Sequence, residues 1–134
     1  MNPEREGEGG RGAGRVYDLE DRLVEFAGAV SEVVERLPRT RVGRHAAGQL
    51  LRAGTTAAPN YGEAQSAESR KDFVHKLRVC LKELRETMVW LKYTRRMRVG
   101  DAGRTEACIR EANELISIFV ASIATAERND RRTS

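Results

Sequence analysis

The chain has 134 residues, of which 40% are hydrophobic, 33% are charged and only 5% are aromatic, and its formal net charge is +4. A chain of this length forms one domain, here with an aliphatic core, and its charge suits an anionic partner without requiring one. It has no apolar run long enough to span a bilayer and no apolar stretch near its charged, glycine-rich start. We therefore expect no membrane partner and a cytoplasmic location.

Residues 1–15 are mostly glycine and charged residues and are expected to form a disordered tail. A helical bundle is expected over residues 16–128, and residues 129–134 are expected to be frayed. The first helix is predicted over about residues 17–37, where apolar residues recur at helical spacing and Pro38 ends the pattern. This segment carries six acidic residues against two basic ones.

The second helix is predicted over about residues 40–65, capped by Thr40, with an inner stripe of almost only small residues. Its interior glycines weaken a helix but permit close packing. Pro59 lies inside this segment, and we expect one kinked helix rather than two pieces. Glu63 is a carboxylate on the small-residue face, and a structural contact with an arginine of a neighbouring helix is favoured over a functional role.

The third helix is predicted over residues 69–97, with Ser69 as its N-cap and one apolar stripe facing the core. Residues 70–98 contain ten Lys or Arg against three acids. A solvated surface and a nucleic-acid contact are both compatible with this charge. The cations that we call the basic strip lie beside the core stripe or at the helix end: Arg70, Lys71, Arg78, Lys82, Arg85, Lys92, Arg95, Arg96 and Arg98.

A second apolar side of the third helix is formed by Val79, Val89, Trp90 and Tyr93, which we call the apolar edge. A helix that is apolar on two sides needs two partners, so a subunit interface is preferred over packing against a chain terminus. Gly100 to Gly103 form a turn, and a fourth helix follows over about residues 105–128. Four helices with short connections predict an all-α, antiparallel up-down-up-down bundle.

No catalytic constellation stands out. Asp72 and His75 have the carboxylate-x-x-His spacing of di-iron bundles, but such a site needs two copies and further carboxylates. His45 and His75 are therefore interpreted as structural or surface residues. Cys80 and Cys108 lie on apolar helix faces, which favours buried thiols over a disulfide, a metal site or a nucleophile. The sequence predicts no enzyme, no metal and no cofactor.

Several segments carry a family resemblance: Tyr17-Asp18-Leu19-Glu20, Gln49-Leu50-Leu51-Arg52-Ala53-Gly54-Thr55, Asn60-Tyr61-Gly62-Glu63-Ala64, Glu68-Ser69-Arg70-Lys71-Asp72-Phe73, Leu81-Lys82-Glu83-Leu84-Arg85-Glu86-Thr87 and Trp90-Leu91. In this order, over roughly residues 16 to 125, they resemble the four-helix-bundle proteins of the rRNA intervening-sequence family. Pro59 departs from the family pattern, in which a small residue is more usual, and this bears on the continuity of the second helix.

The resemblance implies a single four-helix bundle that assembles as a homopentameric ring with a central channel. Some family members are encoded inside sequences that interrupt large-subunit ribosomal RNA genes. The accessory protein of diversity-generating retroelements, which partners a reverse transcriptase and binds nucleic acid, is similar to this family. The family supplies no catalytic residues to carry over.

Two functions are compatible with these observations. The leading hypothesis is a non-enzymatic oligomer that binds RNA or DNA backbone through the basic strip. The alternative is a protein-interaction scaffold whose ring recruits a nucleic-acid enzyme such as a reverse transcriptase. In that case the basic strip meets the acidic first helix of a neighbouring subunit. The opposite charges of the two helices by themselves favour side-by-side packing either within a subunit or between subunits.

Overall fold

A computed structural model of the protein describes residues 18–133, with side chains described up to residue 131. Within that range the fold is all-α, with no strand. Its helices are α1 (Leu19–Glu35), α2 (Arg41–Gly54), α3 (Ala57–Gln65), α4 (Arg70–Met97) and α5 (Ala102–Thr133). The four predicted helices are present, since α2 and α3 together replace the second. The predicted tail and Tyr17, the expected first residue of the first helix, lie outside the described residues.

The helix starts follow local capping chemistry. Side chains of Asp18, Thr40 and Ser69 accept hydrogen bonds from backbone N–H groups three residues later, at 3.2, 3.1 and 3.0 Å. Such bonds satisfy donors that have no partner inside the helix. Asp101 does the same for α5, accepting from Arg104 N at 3.1 Å. The last helix therefore begins at Ala102 rather than near residue 105, and it continues to Thr133, where fraying was expected.

The second predicted helix is interrupted. Where one kinked helix was expected over residues 40–65, α2 ends at Gly54 and α3 begins at Ala57. Pro59 explains the position of the break, because it has no N–H to donate to Thr55 O and its ring would clash with that carbonyl. As the third residue of α3, Pro59 occupies a position whose N–H would have no helical acceptor.

The core is aliphatic and lies at the centre of four helical corners. The interior is built from one stripe of each long helix, with Leu23, Phe26 and Val30 of α1 meeting Leu84 of α4 and Phe119 of α5. Helices α2 and α3 together occupy one corner of the bundle, which we call the α2–α3 corner. Both α1 and α4 pack against this corner and against α5. Helices α1 and α4 do not pack along each other, and they therefore occupy diagonally opposite corners of the bundle. The acidic first helix therefore does not neutralise the basic α4 within one subunit.

Ion pairs join early residues of α1 and α4 to late residues of α5, and late residues of α1 and α4 to early residues of α5. Arg22 of α1 pairs with Glu111 of α5 at 2.5 Å, whereas Glu32, later in α1, pairs with the earlier Arg104 at 2.8 Å. On the other side of α5, Arg78 pairs with Glu127 and the later Arg95 pairs with the earlier Glu106. These bridges link α5 to both of its neighbours.

Candidate nucleic-acid interface

The basic strip lies on the surface of α4. All nine of its residues are exposed. Positions 71, 78, 82, 85, 92 and 96 are separated by three, four or seven residues, which aligns their side chains along one face of a helix. The core stripe of α4, which includes Leu77, Leu84 and Leu91, is buried on the other side. These six side chains therefore line one cationic face of α4, whereas Arg70, Arg95 and Arg98 lie off that line near the two ends of the helix.

Most of this charge is not neutralised by the described residues of the chain. Arg78 pairs with Glu127, and Arg95 Nη1 lies 3.3 Å from Glu106 Oε2. Within the described part of the chain, the other strip residues have no carboxylate within ion-pair distance: Arg70, Lys71, Lys82, Arg85, Lys92, Arg96 and Arg98. These seven exposed cations therefore leave a positive charge on α4 and its C-terminal end that no described carboxylate compensates.

Two of the acids of α4 are engaged on a different face. Arg52 of α2 forms an ion pair with Glu86, and its Nη1 lies 3.6 Å from Glu83 Oε1. The side chain of Glu83 is only 16% exposed. This bridge holds α2 against α4. It also engages the carboxylates of Glu83 and Glu86, which therefore do not neutralise the cations of the strip. The sequence pattern did not predict a partner for Arg52. Arg52 lies 31 positions before Glu83, and the two side chains meet only because α2 and α4 pack together.

The apolar edge does not form one side of α4: Val89 lies four residues after Arg85 and three before Lys92, on the face of the strip, whereas Trp90 faces α2. Trp90 is partly buried against the core, with its ring centroid 5.4 Å from that of His45 and 5.5 Å from that of Tyr93. Val79 and Tyr93 are also partly buried, whereas Val89 is 61% exposed. Part of the Trp90 side chain is thus already covered within the subunit by α2. The subunit interface predicted for this edge stays a prediction.

Glu63 has a structural partner on α4. Its Oε1 accepts a hydrogen bond of 2.9 Å from Lys76 Nζ, and this bond raises the pKa of Lys76. An arginine partner was expected, and the structure supplies a lysine instead. The pair ties α3 to α4 near the start of the strip.

The thiols and imidazoles show no catalytic arrangement. Burial raises the pKa of Cys80 to about 12 and that of Cys108 to about 11, which keeps both thiols protonated. His75 is exposed, as expected for a surface residue. Within residues 18–131, no three His, Cys, Asp or Glu side chains are placed to hold a metal ion. No described helix is both long and apolar enough to cross a membrane.

A depression of about 500 Å³ lies at the end of the bundle where α4 begins. Its lining includes Gln65, Glu68, Arg70, Phe73 and Asn129, so one strip cation borders it. The depression therefore adjoins the strip at the start of α4.

Comparison with known proteins identifies the family. No curated protein sequence matches the chain significantly. A crystal structure from Bacteroides thetaiotaomicron, described as a protein with unknown function from the S23 ribosomal protein family, matches with a TM-score of 0.73 and 29% sequence identity, covering 79% of this chain and 98% of the other. The family model for the 23S rRNA-intervening sequence protein matches residues 18–121. The chain therefore belongs to the 23S rRNA-intervening sequence protein family.

Proposed function

We propose that this protein is a non-enzymatic, nucleic-acid-binding bundle that holds the phosphate backbone of RNA or DNA along α4. The observation that carries this proposal is that seven exposed strip cations have no acidic partner among the described residues. Phosphate groups supply the complementary charge, and arginine and lysine are the side chains that most often contact them. A cytoplasmic location suits this function.

The surroundings of α4 favour contacts with the backbone rather than with the bases. The helix packs between the α2–α3 corner and α5, so only one face is free. A major groove about 12 Å wide admits an α-helix, and neighbours on both sides of α4 limit how deeply it can enter such a groove. At 1.5 Å per residue, the strip from Lys71 to Arg96 extends about 38 Å. Contacts of this kind give affinity with little sequence preference.

Charge reversal tests the proposal. The variant Lys82→Glu/Arg85→Glu should lose binding to a generic structured RNA while keeping its helix content. The matched control, Arg41→Glu/Arg44→Glu, makes the same change of charge on exposed residues of α2, outside the strip. For the unmodified protein, log K should fall with log salt with a slope of about 0.7–0.9 per phosphate neutralised. Equal affinity of both variants and the unmodified protein would rule out the strip as the binding surface.

We also propose an antiparallel up-down-up-down bundle that assembles as a homopentameric ring. The reversed order of the ion pairs along α5 supports the antiparallel arrangement. The apolar edge (Val79, Val89, Trp90 and Tyr93) is the proposed subunit contact, because Val89 is highly exposed beside an already packed tryptophan. Assembly would also strengthen binding, because several strips act together on one polyanion. Light scattering on a sizing column tests the mass, and Val89→Asp should lower it.

A second candidate function is a scaffold whose ring recruits a nucleic-acid enzyme such as a reverse transcriptase. The observation in its favour is that α1 presents exposed acids on the corner opposite the strip, so one subunit offers two surfaces of opposite charge. Under this hypothesis the strip serves subunit contacts. An oligomer whose mass and mobility ignore added RNA at low salt, but which retains a purified reverse transcriptase, would favour the scaffold over direct binding.

A further inference from the structure

The described bundle is three-sided at the end where α4 begins. Arg22, one turn into α1, pairs with Glu111 of α5. Glu32, later in α1, pairs with the earlier Arg104. Successive turns of α1 therefore lie beside successively earlier turns of α5, and α5 continues past the start of α1 to Thr133. The neighbours of these last turns of α5 are the end of α3, the link to α4 and the first turn of α4.

The open side of this end forms a hollow, which we call the notch. It consists of two adjoining depressions of about 500 Å³ and about 390 Å³ that share Phe73, Ala126 and Asn129. The larger one also reaches Ala64 at the end of α3. Ala64 and Ala126 are buried and Phe73 is partly buried against the core, so the floor of the notch is apolar. Each depression has the volume of a small-molecule site.

The lining of the notch suits a flat, neutral group with a polar edge. Phe73 contributes an aromatic surface, and the small side chains beside it leave room for a second ring to stack. The amides of Gln65 and Asn129 add hydrogen-bond donors and acceptors. Glu68 and Arg70 carry opposite charges, so the described lining has no net charge. An anion would therefore gain little in the notch, whereas a nucleobase has apolar faces, a donor and acceptor edge and no charge.

The notch opens beside the first cations of the basic strip. Arg70 borders it, and Lys71 begins the cationic face that continues along α4. A nucleic acid whose backbone follows this face therefore passes the notch at one end of its path. Bases in a duplex are paired and stacked, so only an unpaired base can turn away from its backbone and enter the notch.

We infer that the notch receives one unpaired base of the nucleic acid whose phosphates lie along the basic strip. The base stacks on Phe73, and Gln65 and Asn129 hydrogen-bond its edge. The inference rests on the proposed function and deepens it, because the strip contacts only the backbone whereas the notch selects a nucleic acid with a single-stranded base near the bound phosphates. Stacking on an aromatic side chain tolerates any base, so the two amides are the part of the site that distinguishes one base from another.

Two RNA hairpins test the inference. One ends in an unpaired nucleotide that carries 2-aminopurine, a fluorescent base whose emission changes with stacking. The other is identical except that this nucleotide lacks its base, so the two hairpins have the same phosphates. The unmodified protein should bind the hairpin with the base at least about fivefold more tightly, and its fluorescence should change on binding.

The stacking contact is tested by Phe73→Leu. This variant removes the aromatic ring but keeps an apolar side chain against the core, so the preference for the hairpin with the base should disappear while the affinity for the other hairpin stays the same. The control Phe26→Leu makes the same change in the buried core of α1, outside the notch, and should keep the preference. A full preference in Phe73→Leu, with its helix content intact, would overturn the inference.

The polar edge of the site is tested by Asn129→Ala, which should lower the preference for the hairpin with the base. The control Asn113→Ala makes the same change at another exposed position of α5, outside the notch, and should not lower it. Equal effects of the two variants would overturn the assigned hydrogen bond.

The remaining outcomes separate this inference from the proposed function. Equal affinities of the unmodified protein for both hairpins, abolished by Lys82→Glu/Arg85→Glu, would overturn the notch as a base site but leave the proposed function standing. A fluorescence change that occurs only after residues 1–15 are removed would also overturn the inference, because the start of the chain itself would then occupy the notch. Absence of binding to either hairpin would overturn both proposals.

Discussion

Gly54 of α2 lies directly against Val30 of α1, so that a Cβ added to Gly54 would be 2.6 Å from Val30 Cγ1. Both residues are buried, and Val30 has no exposed surface. A glycine weakens a helix, but here it permits α1 and α2 to approach each other closely. The helix then ends immediately after Gly54.

The variant Gly54→Ala should therefore destabilise the protein, although alanine is the better helix former. Overpacking a filled core typically costs about 1–3 kcal/mol, which exceeds the gain of about 1 kcal/mol in helix propensity. Urea denaturation followed by circular dichroism measures the difference in the free energy of unfolding.

The matched control is Gly48→Ala in the same helix. A Cβ added to Gly48 would have no atom within 4 Å, so only helix propensity changes and the variant should gain about 0.5–1 kcal/mol. If Gly54→Ala were the more stable of the two variants, the close contact between α1 and α2 would be wrong.

Arg98 ends α4 in a left-handed conformation, with φ at 56°. Glycine is the usual residue there, because a side chain costs about 1 kcal/mol in this region. The variant Arg98→Gly should therefore raise stability while it weakens binding to RNA, since a strip cation is lost. Thermal unfolding and fluorescence anisotropy measure the two effects.

The variant Arg98→Ala separates the two contributions. It removes the same charge but keeps a side chain in the left-handed region, so binding should weaken equally and stability should not rise. A loss of stability in Arg98→Gly would mean that the arginine side chain makes a contact that outweighs the backbone strain.

Much of the fold could be predicted from local patterns. Ser69 and Thr40 were recognisable as caps because a short oxygen side chain before an apolar periodic stretch satisfies free N–H groups. The long helix α4 was predictable because propensity and periodicity agree over its whole length. The break after Gly54 was not predicted. A proline indicates that a helix is disturbed, but the packing of the chain decides whether the result is one kinked helix or two separate helices.

The candidate site was likewise predictable from the sequence only in part. Periodicity alone placed the cations of α4 on a common face, and all of them are exposed. Which cations stay unpaired could not be predicted, because Glu127 and Glu106 reach Arg78 and Arg95 only through the packing of α5 on α4. The contact between His45 and Trp90 was missed for the same reason, since it joins residues 45 positions apart in the sequence.

The bridge from Arg52 to Glu83 and Glu86 should contribute more than an exposed ion pair. Arg52→Ala leaves the mostly buried carboxylate of Glu83 without its cation, and a buried charged group that loses its partner costs about 1–3 kcal/mol. Because Arg52 is half-exposed, water can reach the site in part, and the lower half of this range is expected. Chemical denaturation measures the loss.

The comparison pair is Lys76 and Glu63, where Glu63 is 60% exposed. Lys76→Ala should lower stability much less than Arg52→Ala does, since exposed pairs contribute little. Equal losses for Arg52→Ala and Lys76→Ala would show that the burial of Glu83 has no energetic consequence. The double variant Arg52→Ala/Glu83→Ala should recover part of the loss, because the mostly buried carboxylate of Glu83 is removed together with its cation.

Cys80 and Cys108 should be unreactive in the folded protein. Burial raises their pKa values to about 12 and about 11, above the ordinary value of 9.0, so the reactive thiolate is almost absent at pH 8. A disulfide-forming colour reagent should detect no thiol in the native protein and two after denaturation. The raised pKa values also affect the free energy of unfolding. The folded state keeps these two protons to a higher pH than the unfolded state does, so the thiols' contribution to stability is constant below about pH 9. That contribution is lost as the pH rises toward 11 and 12. Rapid reaction of either thiol at pH 8 without loss of helix content would contradict the burial of that cysteine.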